Sequence, residues 1–367
     1  MARIALNARL LIADRLEGIG WFTHECYKRI IAAHPEHQFR LIFDRPPHAD
    51  FEYGKNADAV RLWPPARRPF LYDWWFDYSV GRELKRWKAD AFVSTDGMLC
   101  RRTSVSQLAV FHDLNFMHHP EWMPAREARY YRSRFPEFAQ RATSVVTVSE
   151  YSKCDIVEQF GVQDANIRVV PNAPSPTYCP EARDAELDGM PDLPPGGYFI
   201  FVGSLHPRKN LDGLLTAFQD YRARGGTLEL VIVGEHMWKG ENRRLEATRF
   251  LGRLNRDVLP TVMARAHALV FVPWFEGFGV PIVEAFASGV PVIASCTTSM
   301  PEVCGGAEAA LVDPGDPNAI SEAMRRLEQD PELHAAAVER GLKRAQDFNW
   351  DASASKLWSA MESILPS

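Results

Sequence analysis

Short apolar runs alternate with longer stretches of helical spacing along most of this chain. In chain order, the runs are ARIALN (2–7), QFRLIF (38–43), AFVS (91–94), QLAVFHD (107–113), SVVTVS (144–149), YFIFVGS (198–204), LELVIVGE (228–235), ALVFVP (268–273) and PVIAS (291–295). Runs of this length, separated by helical segments, are typical of buried parallel strands joined by crossover helices. The pattern predicts an α/β protein with two parallel-sheet domains.

A proline- and glycine-rich stretch divides the two groups of strands. Residues 176–195 lack apolar periodicity, and we interpret them as a linker. This places one domain at 1–175 and a second at 196–346. The last segment, 347–367, has helical apolar spacing at Trp350, Leu357, Met361 and Ile364.

Two carboxylates frame a glycine-rich turn in EGFGVPIVEAFASGVPV (276–292). Gly277 and Gly279 permit a bend directly after the predicted strand 268–273, at the edge where open α/β sheets bind ligands. A glycine turn before a helix of small residues is also ordinary α/β packing. Glu284, however, lies on an apolar helix and needs a partner, which a sugar or ribose hydroxyl would supply. We therefore interpret Glu276 and Glu284 as ligand residues.

Adjacent cations follow another predicted strand. Arg208 and Lys209 lie in GSLHPRKN, between the run 198–204 and a probable helix. Arg neutralises a diphosphate with a fork of donors and Lys with a compact charge. The alternative is a solvated basic turn. We interpret Arg208 and Lys209 as candidate ligands of a diphosphate group.

The first half offers candidates of its own. His112 ends the run QLAVF, where it can hydrogen-bond a sugar and stabilise positive charge. Gly18 and Gly20, in LEGIGWFTHE, lie where a backbone can approach a phosphate or an acceptor, although a tight turn explains them almost equally well. The dinucleotide fingerprint fails at Thr23. Ser149 is expected to cap the following helix.

Composition narrows the class of protein. Charged residues make up 24% and hydrophobic residues 46% of 367 positions, which is ordinary for a globular chain. The six cysteines form no C-x-x-C pair, which favours reduced thiols in a cytosol over disulfides or a zinc site. No apolar run approaches the roughly 20 residues that span a bilayer, and no nucleic-acid-binding motif occurs. We expect a cytoplasmic protein without a nucleic-acid partner.

The window EGFGVPIVEAFASGVPVIAS resembles the signature of the retaining nucleotide-sugar glycosyltransferases of family 4, with its E-x7-E spacing. The resemblance continues through GIGWFTHE, FHDLNFMHHPEWMP, TVSEYSKCDI, VVPNAPSP, FVGSLHPRKN and LVDPGDP, in that order. It implies the GT-B fold: two Rossmann-like domains facing across a cleft, with the C-terminal helix at 347–367 crossing back to the N-terminal domain. The acceptor side is then 1–175, and the donor-binding domain is 196–346.

The resemblance also implies roles for residues. Glu276 would contact the donor sugar hydroxyls and Glu284 the nucleoside ribose, while His112 would face the sugar; His112 and Glu276 are the catalytic candidates. The remaining donor-binding candidates lie in the matching segments, and they are Gly203, Ser204, Arg208, Lys209, Gly252, Leu254, Gly277, Phe278, Gly279 and Val280. Gly252 and Leu254 would contact the base through backbone atoms, which require no particular side chain. The sequence therefore does not identify the base.

No D-x-D triplet occurs, the spacing with which many nucleotide-sugar enzymes hold a divalent metal. Cationic side chains and helix termini would replace that metal, so we expect no metal ligand and no cofactor. The function expected is retaining, metal-independent transfer of a hexose, with GDP-mannose as the hypothesis for the donor, to a glycan or lipid-linked acceptor in surface polysaccharide synthesis. The alternatives are a nucleotide-sugar 2-epimerase of the same architecture and a catalytically silent binding subunit.

The stretch 65–88, PARRPFLYDWWFDYSVGRELKRWK, mixes aromatic residues with cations. Such a segment either lies on a membrane surface, where it would meet a lipid-linked acceptor, or forms core on one face and a solvated surface on the other. Peripheral contact at the inner face of the membrane is therefore one hypothesis for where the protein works.

Overall fold

The computed structural model describes residues 1–13, 15–187, 192–235 and 246–366. The chain separates into two compact units: residues 1–172 together with 350–367, and residues 173–349. The terminal helix thus belongs to the first unit, although it follows the second in the chain.

The stretch expected to be a linker groups with the second unit. Of the predicted linker 176–195, residues 188–191 lie outside the described residues. Its described part is packed, since Tyr178 is 8% exposed and Leu193 is 1% exposed. Arg265 also donates to the carbonyls of Arg183 and Ala185, at 2.8 and 2.9 Å. Buried apolar anchors without regular spacing explain why sequence periodicity gave no sign of this packing.

The first unit is a parallel sheet with helices between its strands. Its described strands are β1 (Arg3–Asn7), β2 (Gln38–Phe43), β3 (Ala57–Arg61), β4 (Ala91–Ser94), β5 (Ser106–Phe111), β6 (Ser144–Thr147) and β7 (Ile167–Val169). Its described α-helices are α1 (Gly18–Ala33), α2 (Pro69–Trp74), α3 (Gly81–Trp87), α4 (Asn115–His118), α5 (Ala125–Arg141) and α6 (Glu150–Phe160). The strand order is β3-β2-β1-β4-β5-β6-β7.

The second unit repeats this plan. Its described strands are β8 (Tyr198–Val202), β9 (Glu229–Val233), β10 (Thr248–Gly252), β11 (Ala268–Phe271), β12 (Val292–Ser295) and β13 (Ala310–Val312). Its described α-helices are α7 (Leu211–Ala223), α8 (Leu259–Ala264), α9 (Val280–Ala287), α10 (Met300–Cys304), α11 (Pro317–Gln329) and α12 (Pro331–Ala345). The strand order is β10-β9-β8-β11-β12-β13. The final helix, α13 (Trp350–Glu362), returns to the first unit.

Each of the nine apolar runs contains one of these strands, which confirms the prediction of two parallel sheets. The core of each unit lies between sheet and helices; buried examples are Phe111 and Phe138 in the first and Phe199 and Tyr221 in the second. The predicted cap of α6 is also present, because the Ser149 hydroxyl accepts a hydrogen bond from the Ser152 N–H at 3.1 Å. Among the described residues, no helix combines the length and apolar character needed to cross a membrane.

Candidate functional site

Each sheet has one topological switch point. There, successive strands stop being added on one side of the first strand and begin to be added on its other side. In the second unit this point lies between β8 and β11, which are hydrogen-bonded neighbours although β9 and β10 intervene in sequence. Open α/β sheets bind ligands in the crevice outside the carboxyl ends of such strands. The segments that leave these two strands carry Arg208 and Lys209 after β8, and Glu276 after β11.

A short, fixed turn presents the two cations. Residues Pro207–Lys209 form a 3-10 turn, in which the His206 ring nitrogen accepts from the Arg208 N–H at 3.3 Å. Asn210 follows in the left-handed region, with φ at 57°. Its side-chain amide donates to the carbonyls of Val272 and Pro314 at 3.0 and 2.8 Å. The turn after β8 is therefore anchored to the segment that leaves β11.

Arg208 and Lys209 both form ion pairs with Glu276. Its Oε1 atom contacts the Arg208 guanidinium and the Lys209 ammonium. Glu276 and Lys209 are each 7% exposed, and the Lys209 Nζ lies 4.8 Å from the centre of the Phe271 ring. Burial alone would raise the pKa of Glu276, but the charges of Arg208 and Lys209 outweigh it and hold that pKa below the usual range. Two cations therefore converge on one carboxylate, and cations grouped in this way suit an anionic ligand.

Helix α9 begins directly beyond this cluster. Gly279 precedes it with φ at 88°, a conformation that L side chains rarely adopt, and Pro281 occupies the first turn. The Ser299 hydroxyl donates to the Glu276 carbonyl at 2.9 Å and ties the loop before the helix to the segment after β12. Of the two glycines in the predicted turn, Gly279 is thus required by backbone geometry.

Glu284 lies within α9 and has a different environment. The buried Tyr178 hydroxyl donates to its carboxyl, and Arg256 is the nearby charge. Burial raises the pKa of Glu284 to about 8, although Tyr178 and Arg256 both act to lower it. The proton on Glu284 is therefore retained well above the pH at which an exposed glutamate loses it. Tyr178, which contributes to this environment, was not predicted.

This shift predicts a pH dependence of stability. The unfolded chain releases the Glu284 proton near the usual pKa of 4.5, whereas the folded chain retains it to about pH 8. The contribution of Glu284 to stability is therefore greatest below about pH 4.5 and declines as the pH rises towards 8. We expect thermal melts of Glu284→Gln to lose this decline between about pH 5 and 8, whereas Glu339→Gln, at an exposed position, should follow the wild type. Parallel curves for the Glu284→Gln variant and the wild type would contradict the assignment.

The remaining donor-site candidates occupy the same edge of the second sheet. Gly203 and Ser204 follow β8, and Gly277, Phe278 and Val280 lie in the turn into α9. Gly252 ends β10, and its carbonyl accepts from the Gly234 N–H at 2.8 Å. Leu254 is half-buried two residues later. Gly252 and Leu254 therefore lie along the sheet from the cation cluster, two strands away from β8.

In the first unit, His112 directly follows β5. Its Nε2 is 3.0 Å from the Thr95 carbonyl oxygen, and its ring meets Phe22 edge-on at 5.0 Å. Burial lowers the pKa of His112 to about 4, so the ring is neutral near pH 7. Because a carbonyl only accepts, Nε2 must carry the proton and Nδ1 is then an acceptor. His112 can therefore accept a hydrogen bond from a hydroxyl but does not supply a positive charge from its ring.

A buried ion pair occupies the corresponding point of the first sheet. Arg9 follows β1 and donates to Asp96, which follows β4, at 2.7 Å. The Asn7 amide and the Ser94 hydroxyl also donate to Asp96, each at 2.9 Å. This cluster was not predicted, although the polar pair Thr95 and Asp96 directly after the predicted strand AFVS was the signal for it. It fixes the segment whose Thr95 carbonyl holds His112.

The two glycines of the first loop have different surroundings. A Cβ atom on Gly20 would lie 2.9 Å from the Leu10 carbonyl oxygen, so this position is occupied by close backbone packing. Gly18 starts α1, and a Cβ there would have nothing within 4 Å. Of the two, Gly18 has the space that an approaching ligand needs.

Comparison with known proteins matches most of the chain to glycosyltransferases. Residues 194–344 match the family model described as "Glycosyl transferases group 1", and residues 17–176 match the one described as "Glycosyltransferase Family 4". The O-antigen chain mannosyltransferase B of Escherichia coli is 30% identical over 360 residues, which cover 92% of this chain and 93% of that protein. A glycogen synthase of Mycobacterium tuberculosis is 25% identical over 74% of this chain and 68% of its own.

Among solved structures, the sucrose-phosphate synthase from Thermosynechococcus elongatus superposes with a TM-score of 0.77 at 18% identity, covering 99% of both chains. At this identity the likeness concerns the fold alone. It confirms the GT-B class that the sequence predicted.

Proposed function

Because this chain belongs to the group 1 glycosyltransferases, we propose that it transfers a hexose from a nucleoside diphosphate sugar to a glycan or lipid-linked acceptor, with retention of anomeric configuration and without a metal ion. One observation carries the proposal. Arg208 and Lys209 converge on Glu276 where β8 and β11 end, in a largely buried cluster of two cations and one carboxylate.

The charge of this cluster suits the departure of a diphosphate. As the bond from the anomeric carbon to the phosphate oxygen breaks, negative charge grows on the leaving group, and Arg208 and Lys209 stabilise it. The acceptor oxygen bonds to the same carbon from the same face, and its proton passes to the departing phosphate oxygen. No side chain becomes covalently attached. Glu276 binds the sugar hydroxyls and keeps the two cations in place, while Glu284 binds the ribose.

We propose mannose as the sugar and GDP as its carrier. The support is the similarity over nearly the whole chain to an O-antigen chain mannosyltransferase, which also favours a role in surface polysaccharide synthesis. We place the reaction in the cytoplasm at the inner face of the membrane, where an acceptor carried on a lipid is presented.

The proposal is tested with the purified chain and a panel of GDP-mannose, UDP-glucose and ADP-glucose. We expect GDP-mannose to raise the melting temperature most and to be consumed only when a mannosylated acceptor is added. Proton NMR of the product should show the α configuration of the donor, and EDTA should leave the rate unchanged.

Three results would contradict parts of this proposal. Epimerised donor formed without acceptor would favour a 2-epimerase. The absence of a melting shift with every nucleotide sugar would favour a silent binding subunit. Loss of activity in EDTA and its recovery with Mn²⁺ would refute metal independence.

A further inference from the structure

Exposed aromatic side chains are concentrated on one short segment of the first unit. Trp63, Phe70, Trp74 and Tyr78, which we call the aromatic stripe, are 71%, 70%, 53% and 39% exposed. They are four of the seven large hydrophobic side chains that are exposed in the described part of the chain. Isolated exposed side chains are normal on a protein surface, but a cluster of this kind marks an interaction surface.

The stripe follows one side of a continuous helical segment. Helix α2, a π-helical turn at Trp75–Val80 and helix α3 run without a break from residue 69 to 87. Phe70, Trp74 and Tyr78 recur every four residues, and the rings of Trp74 and Tyr78 stack at 4.8 Å. The Ser79 hydroxyl donates to the Trp63 carbonyl at 2.6 Å, which fixes Trp63 beside this segment.

The other side of the segment is already satisfied by the core. Tyr72, Trp75, Phe76, Val80 and Leu84 are buried in the hydrophobic cluster of the first unit. Core packing therefore accounts for the inward aromatic residues and leaves the stripe unexplained. The expectation that the segment is half core is correct, but its outer face is more apolar than a solvated face requires.

Charge is sorted across the same segment. Residues 65–88, all described, contain three acids, and none is exposed. Asp73 pairs with Arg134 at 2.8 Å and Asp77 pairs with Arg101. Glu83 pairs with Arg40 and with Arg86, each at 2.8 Å.

The exposed charges of the segment are all positive. They are Arg67, Arg68, Arg82, Lys85, Arg86 and Lys88. The outer face therefore presents aromatic rings flanked by cations.

We propose that the aromatic stripe and the cations beside it dock on an anionic lipid bilayer. Tryptophan and tyrosine rings suit the boundary between headgroups and acyl chains, and each arginine or lysine near the surface gains from anionic headgroups. A second copy of this chain fits less well, because a two-fold contact would set the same cations against one another. The choice of a bilayer rests on the proposed lipid-linked acceptor, whereas the docking itself needs no catalysis.

The test is cosedimentation of the full chain with vesicles of phosphatidylcholine containing about 30% phosphatidylglycerol. We expect the wild type to bind, to bind less at high salt, and to bind pure phosphatidylcholine weakly. The double variant Phe70→Ser, Trp74→Ser should lose about tenfold or more in partitioning, because two rings no longer enter the interface. Leu311→Ser, which removes an exposed leucine of the second unit, should bind as the wild type does.

Two further measurements separate the possible outcomes. The double variant should keep its melting temperature and its transfer to a water-soluble acceptor, so loss of vesicle binding without loss of either supports docking. Equal vesicle binding by wild type and double variant would overturn the inference. So would a wild-type dimer that the double variant abolishes, because the stripe would then bind a second copy. Vesicle binding by a chain without transferase activity would refute the proposed function and leave the docking surface standing.

Discussion

Replacing Glu276 with glutamine is expected to lower the rate of transfer about 100-fold or more while leaving the affinity for the nucleoside diphosphate equal or higher. The carboxylate is expected to bind the sugar, so its charge is needed for transfer. In the absence of donor it also pairs with Arg208 and Lys209. Glutamine keeps the size of the side chain but releases both cations to the diphosphate. The measurements are kcat in the transfer assay and calorimetric affinity for GDP and UDP.

Glu322 provides a matched control for this substitution. It is a surface glutamate of the second unit that pairs with Arg325 at 2.6 Å, so Glu322→Gln also removes one ion-paired carboxylate. We expect it to change neither quantity. A parallel loss of diphosphate affinity and transfer in Glu276→Gln, with a lowered melting temperature, would mean that Glu276 only holds the loop together.

The strands show which part of the fold a sequence reveals. The predicted apolar runs correspond to the interior strands of both sheets. The strands that were not predicted are the edge strands, β3, β7, β10 and β13. Interior strands are covered on both faces and are therefore continuously apolar. An edge strand is partly solvated; in β3 and β10, for example, no residue is buried. Their pairing comes from the neighbouring strand rather than from their own pattern.

The candidate site was accessible to sequence reasoning where charge follows a strand. Arg208, Lys209 and Glu276 could be placed because parallel strands bring their carboxyl ends to one edge. The same reasoning applied to AFVSTD would have found Asp96. Tyr178 could not be found in this way, because it lies in an irregular stretch whose packing depends on the tertiary structure. The contact between Glu276 and both cations was likewise not visible, since sequence gives proximity at an edge but not which groups pair.

Replacing Lys209 with methionine is also expected to have a large effect on transfer and on the affinity for a nucleoside diphosphate. Lys209 is buried, with its Nζ 4.8 Å from the centre of the Phe271 ring, and methionine fills much of the same space while removing the charge. We expect transfer to fall about 100-fold or more, with affinity for a nucleoside diphosphate reduced much more than affinity for the monophosphate. A nucleoside monophosphate lacks the phosphate that carries the sugar in the donor. The difference between the two affinities therefore shows whether Lys209 contacts that phosphate. Calorimetry with GDP and GMP, alongside kcat, measures both effects.

The Lys209→Met variant should also change the pH dependence of activity. Lys209 helps to hold the pKa of Glu276 below its usual range, so its removal should raise that pKa. The role proposed for Glu276 requires an ionised carboxylate, so the acid limb of the activity profile should move to higher pH in Lys209→Met. Lys343→Met, at an exposed position on α12, should leave both the profile and the affinities unchanged. An unshifted acid limb, together with equal losses for GDP and GMP, would show that Lys209 supports the fold of the loop rather than the charge of the diphosphate.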